Sequence, residues 1–308
     1  MKNSTRVKGN TTMKRFTALM IIEVKGGNPN GDPETNGSPR QLDSGHGMIS
    51  AVSIKRKYRN LLEDHSNPVT KQLMDIIGIE PENSFIFESH LKGFETGGDA
   101  LEAMKEVTKY AQKNGEDGII RRYVDTRWFG VTGLEKVKKG QESLSIKRTG
   151  GISISNAVSI NPVEISLDTI TKTASLRDDL VAKKQGDIAP EGLKLVKHGL
   201  YVAKIVCDVK SAYNSLMSDE DVEAFRIMTP HIFNQSLSAA RPAGSVQLLH
   251  FWVKYHDQAT CSFNENKFWS DLAPVAISPG ETSESLADYK IIHPKDAGWV
   301  DVFDWANR

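Results

Sequence analysis

Apolar runs separated by polar stretches predict several strands along the chain. Residues 16–24, FTALMIIEV, form a continuous apolar run with β-branched side chains, which is typical of a buried strand. The segments 198–209 and 245–257 are rich in strand-forming residues as well. Residues 150–167 alternate apolar and polar positions over part of their length, and residues 119–131 are interpreted as an extended core element.

Helical spacing of apolar residues predicts the segments between these strands. Residues 45–65 predict a helix, and residues 67–118 predict a mostly helical insertion whose last helix ends at Asn114–Gly115. A further helix is expected after Ser218, with Asp221 at its third position completing a capping box. The residues expected to line the buried stripe of the first helix are Met48, Val52, Tyr58, Leu61 and Leu62.

The remaining segments are polar or lack periodicity. Residues 1–15 predict a flexible arm, and residues 26–40, GGNPNGDPETNGSPR, predict a long loop after the first strand. Residues 166–198 are charged and predict a protruding hairpin or a partly disordered arm. Residues 258–308 form a tail that is expected to pack against the core through Trp269, Trp299 and Trp305.

Without the insertions, the predicted order of elements is strand, helix, strand, strand, helix, strand. This order predicts an α+β fold with a ferredoxin-like, RRM-like βαββαβ palm. The palm is expected to comprise residues 16–66, 119–165 and 199–257, interrupted by the helical insertion 67–118 and the arm 166–198. The fold alone does not settle the function, because one fold supports many activities.

Composition and charge narrow the class of protein. The 308 residues carry no net charge, but residues 1–60 carry a net charge of +7 and residues 256–308 a net charge of −5. This separation is typical of a binding face opposite a solvated back, of protomers that stack head to tail, or of ordinary surface variation. The two cysteines cannot form a disulfide framework, and no apolar run is long enough to span a bilayer. We therefore expect a cytoplasmic protein without a membrane partner.

A basic helix segment is the strongest candidate for binding chemistry. Residues 55–59, KRKYR, hold four cations in five positions, and such spacing suits successive phosphates of one nucleic-acid strand. Lys55 and Arg56 have no acidic residue four positions away, and only Glu63 is positioned to pair with Arg59. The alternative interpretation is a solvated helix face.

The loop before this helix is the second candidate. Its residues 28–33, NPNGDP, offer amide side chains and backbone N–H groups to phosphate or ribose. Asp32 is either a metal ligand, a general base or a turn residue, and the turn is favoured because no second carboxylate lies at a metal-binding spacing. The small glycine loop that follows Arg148 is a weaker candidate. His250 and His256 share a predicted strand face without further ligands, and no known catalytic or cofactor pattern occurs, so we expect no cofactor and no metal.

Several of these segments resemble a known family. Residues 26–40 followed by 45–60 are similar to the signature of the backbone subunit of type I CRISPR Cascade complexes, nearest the type I-C form, within the RAMP superfamily. Residues 50–59 resemble the family's Ser-x-x-Ser-Leu-Lys-Arg helix, and residues 125–130, DTRWFG, resemble its Asp-x-Arg-x-Phe-Gly element. Residues 150–164 and 198–201 resemble the segments on either side of the family's thumb, and the similarity covers most of residues 16–255.

The resemblance implies a palm, a finger-like insertion at 67–118 and a β-hairpin thumb at 166–198. It further implies that copies of the chain stack along one CRISPR RNA, contact other Cascade subunits, and present guide bases for pairing with target DNA without cutting it. The residues expected to bind RNA are Asn28, Asn30, Arg40, Ser53, Lys55, Arg56, Arg59, Arg127 and Arg148, and those expected in the thumb are Lys172, Arg177, Lys183 and Lys184.

Three alternatives remain open from the sequence. A type III-like backbone subunit would cleave target RNA through Asp32. A free-standing RNA-recognition protein would need exposed aromatic residues on its sheet, whereas Tyr201 and Phe251 are expected to be core residues. A ribonuclease that processes the guide would need a placed histidine or a tyrosine–lysine set, and none stands out.

Overall fold

The computed structural model describes residues 13–92, 100–135, 144–168, 192–300 and 302–304. The strands are β1 Phe16–Gly27, β2 Gly31–Asp32, β3 Ser38–Pro39, β4 His46–Ile49, β5 Val131–Glu135, β6 Leu144–Arg148, β7 Ile152–Ile154, β8 Ala157–Pro162, β9 Ile165–Asp168, β10 Leu193–Cys207, β11 Val246–Tyr255, β12 Val275–Ala276, β13 Tyr289–Lys290 and β14 Val302–Asp304. The α-helices are α1 Ala51–Leu62, α2 Pro68–Ile77, α3 Phe87–Leu91, α4 Ala100–Arg122, α5 Val124–Phe129, α6 Val209–Asn214, α7 Asp219–Met228 and α8 Glu265–Leu272.

One antiparallel sheet joins parts of the chain that are far apart in sequence. Its strand order is β14-β11-β1-β10-β8-β4, and β7 and β9 also pair with β10. The first strand, β1, lies between β10 and β11, with Phe16 opposite Cys207 on one side and Tyr255 on the other. Helix α1 lies between β1 and β8 in the chain, and α7 lies between β10 and β11. The fold is therefore a mixed α+β fold around an antiparallel sheet, and the strands predicted at 16–24, 198–209 and 245–257 are confirmed.

Strand β1 is buried on both of its faces. Ala18, Met20 and Ile22 belong to the larger core, which also contains residues of α1 and α7 such as Tyr58 and Phe225. The alternate residues of β1, Leu19 and Ile21, belong to a second core with Leu200, Trp252, Phe268, Leu272 and Tyr289. Burial on both faces explains why this strand is a continuous apolar run rather than an alternating pattern.

The C-terminal segment covers the face of the sheet opposite α1 and α7. Helix α8 places Phe268 and Leu272 in the second core, and Trp269 donates a hydrogen bond from Nε1 to the Ala18 carbonyl oxygen at 3.0 Å. Trp299 packs against the same core. The prediction that the tail packs on the core is confirmed for its described part, and Trp305 lies outside the described residues.

Residues 13–15 are not part of a flexible arm, so that prediction is wrong for its last three residues. Met13 is buried, and the Arg15 guanidinium forms ion pairs at 2.9 Å with both Asp208 and Glu265. Arg15 thus joins the start of β1 to α8 in the tail. The partners of Arg15 lie 193 and 250 residues away in sequence, so local periodicity gave no signal for these contacts.

Residues 119–131 are mainly helical, and the prediction of an extended element there is wrong. Helix α4 bends at Gly115, whose φ of 72° is not helical, and then continues to Arg122. Helix α5 follows at Val124–Phe129, with five of its six residues buried. Burial on nearly every side removes the apolar periodicity that distinguishes a helix from a strand. The helical character predicted for 67–118 is confirmed in its described part.

Residues 45–65 contain a strand as well as a helix. Strand β4 precedes Ser50, which caps α1 by accepting a hydrogen bond from the backbone N–H of Ser53 at 3.2 Å. Val52 is 71% exposed, so its place in the predicted buried stripe is wrong, while Tyr58, Leu61 and Leu62 are buried as predicted. The capping box at the start of α7 is confirmed. No helix in the described ranges is long and apolar enough to cross a membrane.

The second core predicts a stability effect that a matched control isolates. Replacing the fully buried Phe268 with Ala should lower the free energy of unfolding by about 3–5 kcal/mol, because the substitution removes apolar burial and leaves a cavity. Urea denaturation measures the change. Val300→Ala, at a residue that is 95% exposed in the same segment, should change stability by less than about 0.5 kcal/mol. Equal stabilities for the two variants would contradict the packing of the tail.

Candidate nucleic-acid interface

The loop after β1 is attached to the start of α1. The backbone N–H of Ser50 donates to Asn30 Oδ1 at 2.8 Å. Asn28 is buried, and its Nδ2 donates to the Gly37 carbonyl oxygen at 2.7 Å, which holds the two ends of the loop together. Ser53 lies one turn into α1, partly buried. Three of the predicted RNA-binding residues, Asn28, Asn30 and Ser53, therefore meet at one junction.

Arg40 and Asp32 face each other across this loop. Their side chains form an ion pair at 3.4 Å, and Asp32 Oδ1 accepts a hydrogen bond from the backbone N–H of Glu34 at 3.1 Å. Asp32 thus caps the short 3-10 turn at Pro33–Thr35, which is the turn role favoured by its sequence context. Arg40 remains about one-third exposed, so its guanidinium is accessible to an anion.

Arg56 and Arg59 have acidic partners that the sequence did not reveal. Arg56 donates to Glu63 at 2.6 Å, and Arg59 donates from Nε to Asp125 at 2.9 Å. Glu88 on α3 lies within 3.8 Å of both guanidinium groups. The expectation that Arg56 lacks an acidic partner is wrong, because Glu63 at the end of α1 and Glu88 on α3 both reach it. The expectation that only Glu63 answers Arg59 is wrong as well, because its partners are Asp125 on α5 and Glu88 on α3.

Lys55 has no acidic partner among the described residues. Its Nζ lies 5.4 Å from the centre of the Phe129 ring, where the electron-rich face of the ring attracts a cation. Burial, together with the nearby charge of Arg59, holds the pKa of Lys55 below its usual value. Lys55 is therefore the residue of the predicted basic set on α1 whose charge is least compensated.

Lys57 and Arg241 are functional candidates that the predicted site did not include. Lys57 is only 8% exposed, and burial together with the charge of Arg241 lowers its pKa to about 8. Lys57 belongs to the KRKYR run, so a sequence signal existed for it. Arg241 lies between α7 and β11 in a segment with no basic clustering, so no sequence pattern indicated it.

Arg127 is enclosed by the protein. It is 5% exposed, and its guanidinium donates to both carboxylate oxygens of Asp221 at 2.8 and 2.9 Å and to the carbonyl oxygen of Asn83. Trp128 donates from Nε1 to the same carboxylate at 3.2 Å. This geometry gives Arg127 a structural role that ties α5 to α7, and it leaves little of the side chain exposed.

Asp125 has a similar structural role two residues earlier in the chain. Its carboxylate receives Arg59 and also accepts from the backbone N–H of Phe87 at 2.9 Å. Burial raises the pKa of Asp125, and the Arg59 charge opposes that shift. The DTRWFG element thus joins α1 on one side and α7 on the other.

Arg148 lies away from the loop and α1. Its guanidinium pairs with Glu116 at 2.9 Å and Asp117 at 3.0 Å, next to the bend in α4. A Cβ atom at Gly150 would lie 2.3 Å from the backbone nitrogen of Gly130, so this glycine loop serves close packing of two chain segments. The structure does not bring Arg127 or Arg148 together with the loop residues, and Lys172, Arg177, Lys183 and Lys184 lie outside the described residues.

His256 has neighbouring groups of metal-ligand type that the sequence did not predict. Its ring nitrogen, Cys261 Sγ and a Glu265 oxygen lie within 4.8 Å of one another. These groups already have partners: His256 Nδ1 accepts from the backbone N–H of Ser262 at 2.8 Å, its Nε2 lies 2.9 Å from Thr17 Oγ1, and both oxygens of Glu265 receive Arg15. The cluster is interpreted as a hydrogen-bonded anchor for the tail.

Comparison with known proteins identifies the family. A family model described as CRISPR-associated protein Cas7 matches residues 14–293. A Haloferax volcanii protein described as CRISPR-associated protein Cas7 is 23% identical over 260 residues, which cover 80% of this chain and 72% of that protein. The mixed α+β chain built around an antiparallel sheet belongs to the Cas7 family of CRISPR-associated proteins.

Solved structures give a weaker likeness. A chain of a structure titled CRISPR RNA-guided surveillance complex, pre-nicking, is 12% identical, with a TM-score of 0.43 over 80% of each chain. A chain of another, titled CRISPR RNA-guided surveillance complex, is also 12% identical, with a TM-score of 0.41 over 80% of this chain and 72% of that one.

The buried pair of Arg127 and Asp221 predicts a stability effect. Arg127→Met should lower the free energy of unfolding by about 3–5 kcal/mol, because it leaves the Asp221 carboxylate buried without its cation. Urea denaturation of the full chain measures this change. Arg148→Met removes ion pairs that are more exposed, so it should cost less than about 1 kcal/mol. If Arg127→Met proved as stable as the control, the structural role of Arg127 would be wrong.

Proposed function

We propose that this chain is a non-catalytic backbone subunit of a type I CRISPR surveillance complex, nearest the type I-C form. In this proposal it binds CRISPR RNA along the sugar-phosphate backbone and leaves guide bases free to pair with target DNA. The observation that carries the proposal is the match of the Cas7 family model to residues 14–293. The arrangement of the sheet and of the cations around α1 supports this mode of binding.

The covering of the sheet on both faces argues against a free-standing RNA-recognition protein. RRM domains stack bases on aromatic residues exposed on the sheet surface. Here Tyr201 and Phe251 are buried, and the opposite face carries the second core beneath the C-terminal segment. Among the described residues, both faces of the sheet are covered at β1, so stacking of bases there is disfavoured and binding at the loop and α1 is favoured.

The loop and α1 suit contacts to the RNA backbone. Arg40 supplies an accessible positive charge, and Lys55 supplies one that has no acidic partner among the described residues. Asn30 and Ser53 supply polar groups at the start of α1. Arg56 and Arg59 contribute less, because three carboxylates offset their charge. Phosphate contacts of this kind fix position without reading bases, which a subunit that accepts any guide requires.

The proposal includes a finger-like insertion within 67–118 and a thumb at 166–198. Strand β9 pairs with the beginning of β10, with Asp168 opposite Leu193 and Ile165 opposite Val196. The segment 169–191 therefore leaves and rejoins the sheet at adjacent points, which suits a hairpin that reaches a neighbouring copy. Lys172, Arg177, Lys183 and Lys184 are proposed to contact that copy or the guide, and other subunits are proposed to contact the ends of the resulting filament.

The enzyme alternative depends on Asp32. In the structure, the Asp32 carboxylate caps a turn and pairs with Arg40. In the described part of the chain, the one grouping of potential metal ligands is the cluster at His256, which does not include Asp32. These contacts favour a structural Asp32, and we propose that the chain does not cleave RNA.

RNA binding by the purified chain tests the proposal. Single-stranded RNAs of different sequence should bind with similar affinity, and the logarithm of the affinity should fall linearly with the logarithm of the salt concentration. Lys55→Ala should weaken binding and lower this slope by ~0.7, the value for one phosphate contact. Lys71→Ala, at an exposed position on α2, is the matched control and should change neither quantity.

Two results would contradict the proposal. A preference of more than about tenfold for one RNA sequence would favour the RNA-recognition alternative, because each base contact adds about 1–3 kcal/mol of discrimination. Cleavage of complementary RNA in the presence of Mg²⁺, lost in Asp32→Ala, would favour the type III-like alternative.

Deleting part of the proposed thumb tests its role in assembly. Replacing residues 170–190 with a short Gly-Ser linker keeps the pairing of β9 and β10, so the circular dichroism spectrum should still show a folded α+β protein. The variant should bind an RNA long enough for one protomer but fail to assemble as a filament on longer RNA. Normal filaments, seen by analytical ultracentrifugation, would show that the segment is an ordinary surface loop.

A further inference from the structure

The two edges of α1 carry cations in different electrostatic surroundings. Residues two positions apart on a helix point in nearly opposite directions, so Lys55 and Lys57 lie on opposite edges. Lys55 and Arg59 both lie beside Phe129, with Asp125 and Glu88 close to Arg59. Lys57 makes no ion pair within the described ranges. The charged group that affects its pKa is another cation, Arg241.

The backbone around Arg241 holds this residue in a defined position. Arg241 lies in the segment 234–245, the loop that leads into β11. Ser238 and Arg241 exchange two backbone hydrogen bonds at 2.9 and 3.0 Å, which close a tight turn. The Arg241 side chain donates from Nε to the Ser236 carbonyl oxygen at 3.0 Å, so its remaining guanidinium nitrogens are free of ion pairs among the residues described.

The loop containing Arg241 lies against the other candidate elements. The backbone N–H of Asn28 donates to the Ala240 carbonyl oxygen at 2.7 Å, and the backbone N–H of Lys25 donates to Ser245 at 2.8 Å. Ser53 lies one turn before Lys57 on the same edge of α1. Lys57 and Arg241 therefore border the same junction at which Asn28, Asn30 and Ser50 meet.

A pair of neighbouring cations without an acidic partner is unfavourable in the free protein. Burying a charged ammonium group costs free energy unless an opposite charge or hydrogen-bond acceptors replace its water. Lys57 is more than nine-tenths buried beside a second cation, and its depressed pKa reflects that cost. An anion bound between the two side chains would reduce the repulsion and offset the desolvation cost.

We propose that Lys57 and Arg241 form a phosphate-binding subsite, and that it holds one backbone phosphate of the RNA at the junction of the loop and α1. Arg241 supplies a planar, permanently charged fork, and Lys57 supplies a compact ammonium group from the helix. This inference rests on the proposed function and deepens it. The subsite lies on the opposite edge of α1 from Lys55, so the RNA strand crosses the start of the helix rather than following its basic outer face.

The test compares full-length variants in RNA binding. Lys57→Met keeps the length of the side chain and removes its charge, and Arg241→Gln does the same for its partner. Each substitution should weaken the binding of a single-stranded RNA and lower the slope of the logarithm of the affinity against the logarithm of the salt concentration. Because the two side chains share one phosphate, the two substitutions together should lower this slope by ~0.7. Lys71→Met is the matched control, because it removes an exposed lysine from the neighbouring helix α2. Thermal unfolding of each variant checks that the fold is intact.

The pH dependence of binding gives a readout that a purely structural role would not change. The pKa of Lys57 is about 8 in the free protein, and a bound phosphate would raise it. The contribution of Lys57 is therefore complete below about pH 8 and is lost as the pH rises further, by up to about tenfold in affinity per pH unit. Between pH 7.5 and about pH 9, the wild type should lose more RNA affinity than Lys57→Met. Any contribution of Lys55 to the pH dependence cancels in this comparison, because both proteins contain Lys55.

The outcomes separate this inference from the proposed function. If the wild type binds RNA and both variants match it in affinity, salt slope and pH dependence, the subsite is wrong and the proposed function stands. If the wild type does not bind RNA, the proposed function itself fails. The remaining experiment measures the thermal stability of the wild type and the variants with inorganic phosphate at matched ionic strength. Stabilisation of the wild type but not of the variants by phosphate, with equal RNA affinities, would make the site a small-anion site and overturn its assignment to RNA.

Discussion

The burial of β1 on both faces is the constraint on which the rest of the structure depends. Ala18, Met20 and Ile22 face the helices, and Leu19 and Ile21 face the C-terminal segment, so the central strand has no side in contact with solvent. A sheet covered on both faces in this way provides a rigid base, but its covered surface is not available to a ligand. In the proposed function, RNA therefore binds where the strands end and the loops begin. In this chain that position is the end of β1, where the 26–40 loop, the start of α1 and the loop before β11 are joined by hydrogen bonds.

Charge compensation then determines which cations are available for binding. The chain contains equal numbers of acidic and basic residues, and long-range ion pairs use several of the arginines to hold helices together. Arg59 joins α1 to α5 through Asp125, and Arg127 joins α5 to α7 through Asp221. The cations left without acidic partners in the described structure include Lys55, Lys57 and Arg241. The proposed binding surface is thus defined less by the number of basic residues than by which of them the fold leaves without an acidic partner among the described residues.

The sequence predicted the elements whose signal is local. Strand β1, the strand at 245–257 and the capping box of α7 depend on neighbouring residues and were predicted correctly. Residues 119–131 were assigned wrongly, because burial on all sides conceals helical periodicity. The partners of Arg15 and Arg59 come from other elements, so spacing along the chain could not reveal them. Arg56 pairs with Glu63 at the end of its own helix, which lies seven residues away and so escapes a search at a spacing of four. The basic run at 55–59 is visible in the sequence, but the pairing of its arginines and the proximity of Arg241 to Lys57 become apparent only in the folded chain.

Photo-crosslinking of bound RNA tests the central claim most directly, namely that RNA binds at the end of β1 and not on the sheet. An RNA carrying 4-thiouridine, crosslinked to the full-length chain and mapped by mass spectrometry, reports the peptides in contact with it. The account predicts crosslinks in residues 26–40, 50–57 and 234–245. Crosslinks concentrated in residues 246–255 and 263–299, with none in those three segments, would contradict it, because they would require the C-terminal segment to leave the sheet and expose the second core.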